Sequence, residues 1–405
     1  MNYTKRRWVI LTACCLINLC IGSLYAWSVF AGPLLEKLNG LGANLTSLSI
    51  VFTIANAVGP ITMIGGGFIN DRIGAKWVIF IGGIMFGLGM ALSGRVNSLS
   101  MLIVTYGLLV GLGIGLVYGA TVSNSVKFFP DKKGLAGGLT TAFYGMSSII
   151  MPPIAVRLLN AAGITKGFLI LGIIMGVIIC VSAFFIDKCP DGFLPDGYVP
   201  PVTQKKGAGD KDWKGMLSSP VFYVMILMLL CGAFSGLMVT SSASAVSREM
   251  LSISAEQAAI VVSMVALFNT FGRIAAGSLS DKLGSVNTIL ISFVLALVGQ
   301  LAVYISNGSV VLFYVGLALI GFCFGSLMGI YPGFTASQFG SKYNSVNYGI
   351  MFVSFALAGY FGPTIMSSLH TSTGEYKMAF LVAAGLSVAG LLLNFVFRAM
   401  QKKKA

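Results

Sequence analysis

One arginine within a long apolar stretch is the residue of this chain with the clearest chemical potential. Arg273 lies in an apolar run from Ala258 to Leu279, and the other lysines and arginines lie between such runs or at their ends. A charge at the centre of a bilayer costs about 2.5–3.5 kcal/mol even on insertion scales, so such a residue usually faces a water-filled cavity on a substrate or ion path. Arg273 therefore predicts an anion site. The alternative is a structural arginine that ties helices together through backbone carbonyls.

The composition places this arginine in a polytopic membrane protein. Of the 405 residues, 56% are apolar and only 9% are charged, and the mean hydropathy is +0.90, which is typical of chains with many membrane spans. The net charge of +14 does not indicate a nucleic-acid partner, because the basic residues lie in short loops between the apolar runs. Lipid is the partner that this composition predicts.

The residue inventory argues against metal, cofactor and enzyme chemistry. The seven cysteines have neither a CxxC motif nor zinc-ligand spacing, and His370 is the only histidine. No Walker motif is present, so ATP is not expected to drive the protein, and no nucleophile–base pair suggests catalysis. We therefore expect no metal, no cofactor and no enzymatic activity.

Twelve segments are long and apolar enough to span a bilayer, which needs about 20 residues. They predict an all-α membrane protein with spans at 8–30, 47–69, 77–94, 99–126, 134–160, 166–187, 218–247, 255–280, 286–305, 309–337, 345–370 and 377–399. The longest polar stretch divides the chain into two six-helix halves. We predict an N-terminal half at 1–187, a cytoplasmic linker at 188–217 and a C-terminal half at 218–405.

The basic residues also predict the orientation. Of the 26 lysines and arginines, nineteen fall on the side of the termini and the linker, Arg273 lies within a span, and six fall on the opposite side: Lys37, Arg95, Arg157, Lys166, Arg248 and Lys377. Cytoplasmic loops carry the excess of lysine and arginine. We therefore expect both termini to lie inside the cell. The protein itself is expected to be a multi-pass monomer in the cytoplasmic membrane.

A short motif occurs once in each half. The spacing Gly-x-x-x-Asp-(Arg/Lys)-x-Gly is found after the second span, with Asp71 and Arg72, and after the eighth, with Asp281 and Lys282. It resembles the loop signature of the major facilitator superfamily. The glycine allows two helices to approach, and the aspartate can cap or pair at a helix end. The resemblance implies a central cavity, alternating access and a gating role for these four charged residues.

Aromatic residues in several spans are candidates for the walls of the anion site. The resemblance to the superfamily implies that the first, fourth, seventh and tenth spans line the cavity, with the second, fifth, eighth and eleventh beside them. Tyr25, Tyr118 and Tyr144 lie deep in their spans, whereas Tyr331 and Tyr348 lie near span ends and are expected to be structural. The forked guanidinium of an arginine grips a carboxylate, and tyrosine hydroxyls can orient it. All twelve acidic residues fall in loops or at span ends, so no carboxylate is expected in mid-membrane for a proton relay.

Several stretches resemble the oxalate/formate antiporter family, the prokaryotic relatives of the monocarboxylate transporters. They are Tyr25-Ala-Trp27-Ser28, Gly65-Gly66-Gly67-Phe68, the run from Lys127 to Ala136, Gly272-Arg273 and Asn347-Tyr348-Gly349. The resemblance implies transport of small carboxylates. It implies that Arg273 binds the substrate carboxylate and that Tyr25, Tyr118, Tyr144, Phe324 and Phe352 wall the pocket.

Two positions depart from this pattern. Phe355 aligns with a second cation, a lysine, of the oxalate exchanger, and Asn269 stands where animal monocarboxylate carriers have an aspartate. One cation neutralises one carboxylate, and an uncompensated charge in a low-dielectric cavity is costly. We therefore predict a secondary carrier of small monocarboxylates such as lactate, pyruvate or formate, with Asn269 and Phe355 also in the substrate site.

Two alternatives remain. The first is an oxalate:formate-type anion exchanger. The second is a membrane sensor that kept the fold; it would need a signalling domain or a long cytoplasmic extension, and the segments at 188–217 and after Arg398 are short.

The predicted topology can be tested by cysteine labelling. In intact cells, a membrane-impermeant thiol reagent should not label Ala208→Cys or Lys403→Cys, because both positions are predicted to be cytoplasmic. Arg95→Cys, predicted to lie outside, is the matched positive control, and the wild-type chain gives the background of its own cysteines. External labelling at position 208 or 403 would contradict the topology and the division into two similar halves.

Overall fold

The chain forms long helices in the computed structural model, which describes residues 2–38, 45–200 and 209–402. Eleven helices within these ranges are long and apolar enough to cross a membrane: Tyr3–Leu38, Leu48–Ile73, Ala75–Ser93, Leu99–Phe128, Lys133–Ala183, Pro220–Leu251, Ala255–Leu283, Ser285–Tyr304, Val310–Phe339, Asn344–Thr373 and Lys377–Lys402. A short helix, Trp213–Leu217, precedes the sixth of them. The described residues contain no strand, which confirms the predicted all-α class.

The predicted count of twelve spans agrees with these eleven helices because one of them contains two spans. The 51 residues of Lys133–Ala183 are interrupted at Gly163, where φ is 74° and ψ is 168°. This non-helical residue separates the predicted spans 134–160 and 166–187.

Two spans contain local irregularities that the hydropathy pattern did not predict. A 3₁₀ turn at Gly22–Ala26 interrupts the first span, and a π-helical segment at Ile103–Val110 lies within the fourth. Such segments change the direction in which the side chains point and are frequent at functional sites. Tyr25, one of the predicted site residues, lies in the 3₁₀ turn.

The chain divides into two compact units, each of which includes a short piece from the other half of the sequence. Unit 1 comprises Met1–Asp131, Phe143–Asp210 and Gln338–Ile350, and unit 2 comprises Lys132–Ala142, Lys211–Ser337 and Met351–Ala405. The predicted boundaries at 187 and 218 remain a prediction. Residues 201–208 of the predicted linker, and the labelling positions 208 and 403, lie outside the described residues.

Unit 1 is held together by close helix packing and by ion pairs at its polar end. Arg7 donates to both carboxylate oxygens of Asp131, at 2.6 and 3.1 Å, and its guanidinium lies over the ring of Phe129 at 4.5 Å. Arg6 forms a second ion pair with Asp187. Bidentate arginine–carboxylate pairs fix geometry well, so these contacts tie the first helix to the segments on either side of Lys133–Ala183.

Unit 2 has an apolar core and a polar tie at the ends of two of its helices. Phe313 and Phe380 are fully buried in the core cluster, together with Val239 and Met238. Glu249, near the end of Pro220–Leu251, lies 2.7 Å from the imidazole of His370, near the end of Asn344–Thr373. Apolar packing supplies little driving force between helices in lipid, so hydrogen bonds and close backbone contacts decide the arrangement.

Candidate functional site

Arg273 is buried within unit 2, and none of the described residues is a carboxylate partner for it. Its residue surface is 3% exposed, and Arg7, at 7%, is the only other buried lysine or arginine in the described ranges. Arg7 is neutralised by Asp131, whereas the ion pairs found among the described residues do not include Arg273. Removing an ion from water costs several kcal/mol when nothing of opposite charge compensates it. An anion from outside the protein would supply that compensation.

Two hydrogen bonds hold the guanidinium in place. Nε donates to Oδ1 of Asn269 at 3.0 Å, and Nη1 donates to the carbonyl oxygen of Thr141 at 2.8 Å. No hydrogen bond of Nη2 is found within the described part of the chain. The Thr141 contact is the kind expected of a structural arginine, but both acceptors are neutral. These two contacts thus orient the side chain without neutralising it.

Glycines bring a neighbouring helix close to the helix of Arg273. On Val310–Phe339, glycines spaced by four residues face backbone carbonyls spaced by four on Ala255–Leu283, and in each case an added Cβ would meet the carbonyl oxygen: Gly321 with Val265, Gly325 with Asn269 and Gly329 with Arg273. Small residues at this spacing let two helix backbones approach closely. The numbering rises along both helices, so the two run in parallel.

A second glycine contact meets the same carbonyl group of Arg273. A Cβ added to Gly138 would overlap the carbonyl oxygen of Arg273, and Gly134 and Gly277 meet backbone to backbone. Here the numbering rises on one helix and falls on the other, so the two helices are antiparallel. This close approach places the Thr141 carbonyl within reach of the guanidinium. The glycines of these two neighbouring helices therefore fix the backbone from which Arg273 extends.

Three predicted aromatic residues form one stack in unit 2. The ring of Phe355 lies parallel to Phe324, with centroids 6.3 Å apart and an interplanar angle of 6°, and it stacks on Phe352 at 4.6 Å and 21°. Phe324 is buried, whereas Phe352 and Phe355 are partly exposed. Phe355 is thus the middle ring of the stack.

The three predicted tyrosines form one cluster in unit 1. Tyr144 contacts Tyr25, with ring centroids 5.3 Å apart, and Tyr118, at 5.0 Å. Gly22 explains how Tyr25 reaches this position, because a Cβ there would overlap the carbonyl oxygen of Tyr144. The helix crossing at Gly22 and the 3₁₀ turn after it together place Tyr25 against Tyr144.

The first copy of the repeated motif caps a helix within unit 1. Asp71 accepts hydrogen bonds from the backbone amides of Ser345, at 3.3 Å, and Val346, at 3.2 Å, in the first turn of Asn344–Thr373. It also forms an ion pair with Lys127 at 2.6 Å. Unpaired amides and the dipole at a helix N-terminus favour an acidic group. We call the contact of Asp71 with Ser345 and Val346 the first cap.

The second copy forms the equivalent contact within unit 2. Asp281 accepts from the amides of Gly134, at 2.7 Å, and Leu135, at 2.8 Å, in the first turn of Lys133–Ala183; we call this the second cap. In both copies the aspartate reaches the second and third residues of the capped helix. The last glycine of each motif has positive φ, 100° at Gly74 and 82° at Gly284, a conformation that suits glycine.

The two caps confirm the predicted capping role of the aspartates, while the gating role remains a prediction. Arg72 and Lys282 are exposed, and the backbone carbonyl of Arg72 accepts from Lys188 at 2.7 Å. Tyr331 is structural, as expected, because its hydroxyl donates to the carbonyl of Met225 at 2.9 Å. Sequence reasoning missed the Lys127–Asp71 pair and the Thr141 carbonyl. The only available signal was that Lys127 belongs to a stretch typical of the family.

Comparison with known proteins identifies the family. The sequence profile of the Major Facilitator Superfamily matches residues 14–363 and 245–405. The chain is 31% identical to the oxalate:formate antiporter of Oxalobacter formigenes over 97% of this chain and 92% of the relative. It is also 30% identical to the uncharacterized MFS-type transporter YhjX of Escherichia coli, over 88% of this chain and 86% of that one.

A solved structure agrees with this assignment at the level of the fold. A crystal structure of the E. coli fucose:proton symporter FucP matches with a TM-score of 0.74 and 15% identity, covering 98% of this chain and 99% of the other. The chain therefore belongs to the Major Facilitator Superfamily, in the group of the oxalate:formate antiporter. It is a membrane transporter and not an enzyme, as the sequence predicts.

A substitution at Asn269 tests whether Arg273 binds the transported anion. Asn269→Asp keeps the shape of the side chain but places a negative charge at the atom that now accepts from Nε at 3.0 Å. An internal ion pair would compete with an anionic substrate, so we expect KM at pH 7.5 to rise about tenfold, which corresponds to roughly 1.4 kcal/mol.

The same variant predicts a pH dependence. Protonating the new carboxylate at low pH should remove the competing charge, so the KM of Asn269→Asp should fall toward the wild-type value on acidification. Asn269→Ser, a neutral replacement, is the control for altered positioning. Equal KM values for wild type and Asn269→Asp across the pH range would show that Arg273 does not bind the transported anion.

Proposed function

We propose that this chain is a secondary transporter of small monocarboxylates, of the size of formate, lactate or pyruvate, and that Arg273 binds the substrate carboxylate. The observation that carries the proposal is the buried guanidinium, whose hydrogen-bond partners among the described residues are both neutral oxygens. Such a charge is costly to bury alone, and a carboxylate would both neutralise it and accept from Nη2. Charge-assisted bonds of this kind are among the strongest in proteins.

The remaining predicted residues are assigned supporting roles. Asn269 holds Nε and so sets the angle at which the guanidinium meets the anion. The stack of Phe324, Phe352 and Phe355 offers apolar ring surface for the methyl or hydrogen end of a small acid. That Tyr25, Tyr118 and Tyr144 contribute hydroxyls to the same substrate stays a prediction.

The second candidate is an oxalate:formate-type exchanger. The specific observation in its favour is the 31% identity to the Oxalobacter formigenes protein of that name, over nearly the whole chain. Against it stands the charge count, because Arg273 is the one buried cation without a carboxylate partner in the described ranges. A dianion bound to a single cation would keep one charge uncompensated, which is unfavourable at low dielectric. We therefore prefer a monocarboxylate transporter to an oxalate:formate-type exchanger as the proposed function.

The proposal includes the cellular setting. We infer a multi-pass monomer in the cytoplasmic membrane. The distribution of basic residues supports the inference that both termini lie inside. We also infer that transport proceeds by alternating access and that the first and second caps, through Asp71 and Asp281, form and break during the cycle. The exposed neighbours Arg72 and Lys282 keep these loops at the cytoplasmic surface.

Arg273 is the decisive position. In proteoliposomes, Arg273→Lys should fold but lose most transport, because lysine keeps the charge without the planar fork. Arg273→Ala should lower Vmax/KM for a labelled monocarboxylate by about tenfold to a hundredfold, as expected when a hydrogen bond to a charged group worth roughly 1.5–3 kcal/mol is lost. Normal uptake by Arg273→Ala would refute the proposed anion site.

Arg7 is the matched control for removal of a buried arginine. Arg7→Lys disturbs a guanidinium that is paired with Asp131, so it should affect stability more than substrate affinity. Thermal unfolding in detergent separates the two effects. If both lysine variants lowered transport only in proportion to folded protein, Arg273 would be structural.

Phe355 tests the charge-matching argument. Phe355→Lys would add a cation between two aromatic rings, where cation–π contacts favour it, and should weaken formate, lactate and pyruvate transport while increasing inhibition by oxalate. Phe355→Leu is the control, because it breaks the stack without adding charge. The measurement is competition by oxalate against a labelled monocarboxylate. If the wild type already prefers oxalate to every monoanion tested, the charge-matching argument is wrong, and that result favours an oxalate:formate-type exchanger.

A further inference from the structure

The predicted linker makes specific contacts with the residues around the first cap. Within unit 1, Lys188 donates to the carbonyl of Arg72 at 2.7 Å, and the thiol of Cys189 donates to the carbonyl of Lys127 at 3.4 Å. Burial raises the pKa of the Cys189 thiol to about 12, so it remains a neutral donor. Of the two acceptor residues, Arg72 follows Asp71 in the sequence and Lys127 forms an ion pair with Asp71. The first residues of the predicted linker, Lys188 and Cys189, therefore contact the surroundings of the first cap.

The linker touches the same region again at Asp210. Its Oδ1 accepts from the backbone amide of Lys342 at 3.1 Å. Gly340, two residues earlier, has φ of 87°, and a Cβ there would overlap Asp210 Oδ1 and lie 2.7 Å from its Cα. Asp210 thus packs against the turn that leads into Asn344–Thr373, and only a glycine leaves room for it.

Lys342 is held from both of its backbone groups. Asp210 binds its amide, and the ammonium of Lys127 binds its carbonyl at 3.2 Å. The same ammonium forms the ion pair with Asp71, which caps Ser345 and Val346. A continuous series of hydrogen bonds therefore runs from the linker carboxylate to the capped helix turn.

We propose that Asp210 is a positioning residue: it fixes the Gly340–Lys342 turn so that Asp71 can cap the first turn of Asn344–Thr373, and it thereby sets how readily the first cap opens. The carboxylate acts here as an acceptor for a neutral amide, so its shape matters more than its charge. The linker is then part of the transport machinery instead of a passive connection. Only the transport measurement below rests on the proposed function.

Hydrogen exchange of the full-length protein in detergent tests the proposal. In Asp210→Ala, the amides in segment 340–350 should exchange about three- to tenfold faster, the change expected for the loss of one hydrogen bond. Asp210→Asn keeps the Oδ1 acceptor and should stay within twofold of wild type. Segment 133–140, which contains the second cap, should not change in either variant. Unchanged exchange in 340–350, or equal acceleration in both segments, would overturn the proposal.

A pair of glycine variants provides a matched test of the same contact. Gly340→Ala should displace Asp210 and accelerate exchange in 340–350. Gly374→Ala is the control, because Gly374 also has positive φ, 77°, but no neighbour within 4 Å of an added Cβ. Equal acceleration of 340–350 by both variants would show a general loss of stability and remove Asp210 from the explanation.

The transport assay shows whether opening of the first cap matters for turnover. In proteoliposomes, Asp210→Ala should raise Vmax at least twofold with KM unchanged, and Asp210→Asn should restore the wild-type rate. A change in KM alone would place Asp210 in substrate binding and overturn the positioning role. If Arg273→Ala transports normally while hydrogen exchange in the Asp210 variants changes as expected, the anion site is refuted and the positioning role of Asp210 stands.

Discussion

An uncompensated positive charge is the constraint around which the interior of unit 2 is organised. The guanidinium of Arg273 is buried, and its described partners are an amide oxygen and a backbone carbonyl. Dipoles of this kind lower the cost of burying a charge but do not cancel it. This imbalance of charge is the physical basis of the proposed anion site. A purely structural arginine would gain most from a carboxylate partner, which the described residues do not provide.

Close backbone packing is what makes this arrangement precise. Lipid supplies little driving force for helix association, so glycine contacts and interhelical hydrogen bonds carry much of the specificity. The carbonyl of Arg273 itself lies against both Gly329 and Gly138. A larger residue at either position would move the helix that carries the charge. The two caps add precision at the ends of the capped helices. In each cap, one aspartate accepts hydrogen bonds from two first-turn amides that would otherwise lack partners.

Sequence reasoning predicted the parts of this structure that depend on local pattern. Span length follows from hydropathy, so the helices were predicted well, and the repeated motif predicted two capping aspartates. The contact between Asn269 and Arg273 was also available, since residues four apart share a helix face. Other contacts depend on which helices, distant in sequence, pack against each other. They are the Lys127–Asp71 pair, the hydrogen bond to the Thr141 carbonyl and the position of Phe355 within a stack. Nothing in the local pattern encodes those contacts. The 3₁₀ turn that carries Tyr25 was missed because hydropathy does not distinguish one helical pitch from another.

The two departures from the family pattern are best understood together as a charge count. An aspartate at position 269 would neutralise Arg273 and leave a site that needs a proton as well as an anion. A lysine at position 355 would raise the site to two positive charges, which suits a dianion. This chain has neither, since Asn269 orients the guanidinium without neutralising it and Phe355 adds only an aromatic face. The site of unit 2 therefore carries one positive charge among these three positions. In the proposed anion site, a single positive charge would favour a ligand with a single negative charge, because such a ligand compensates it fully.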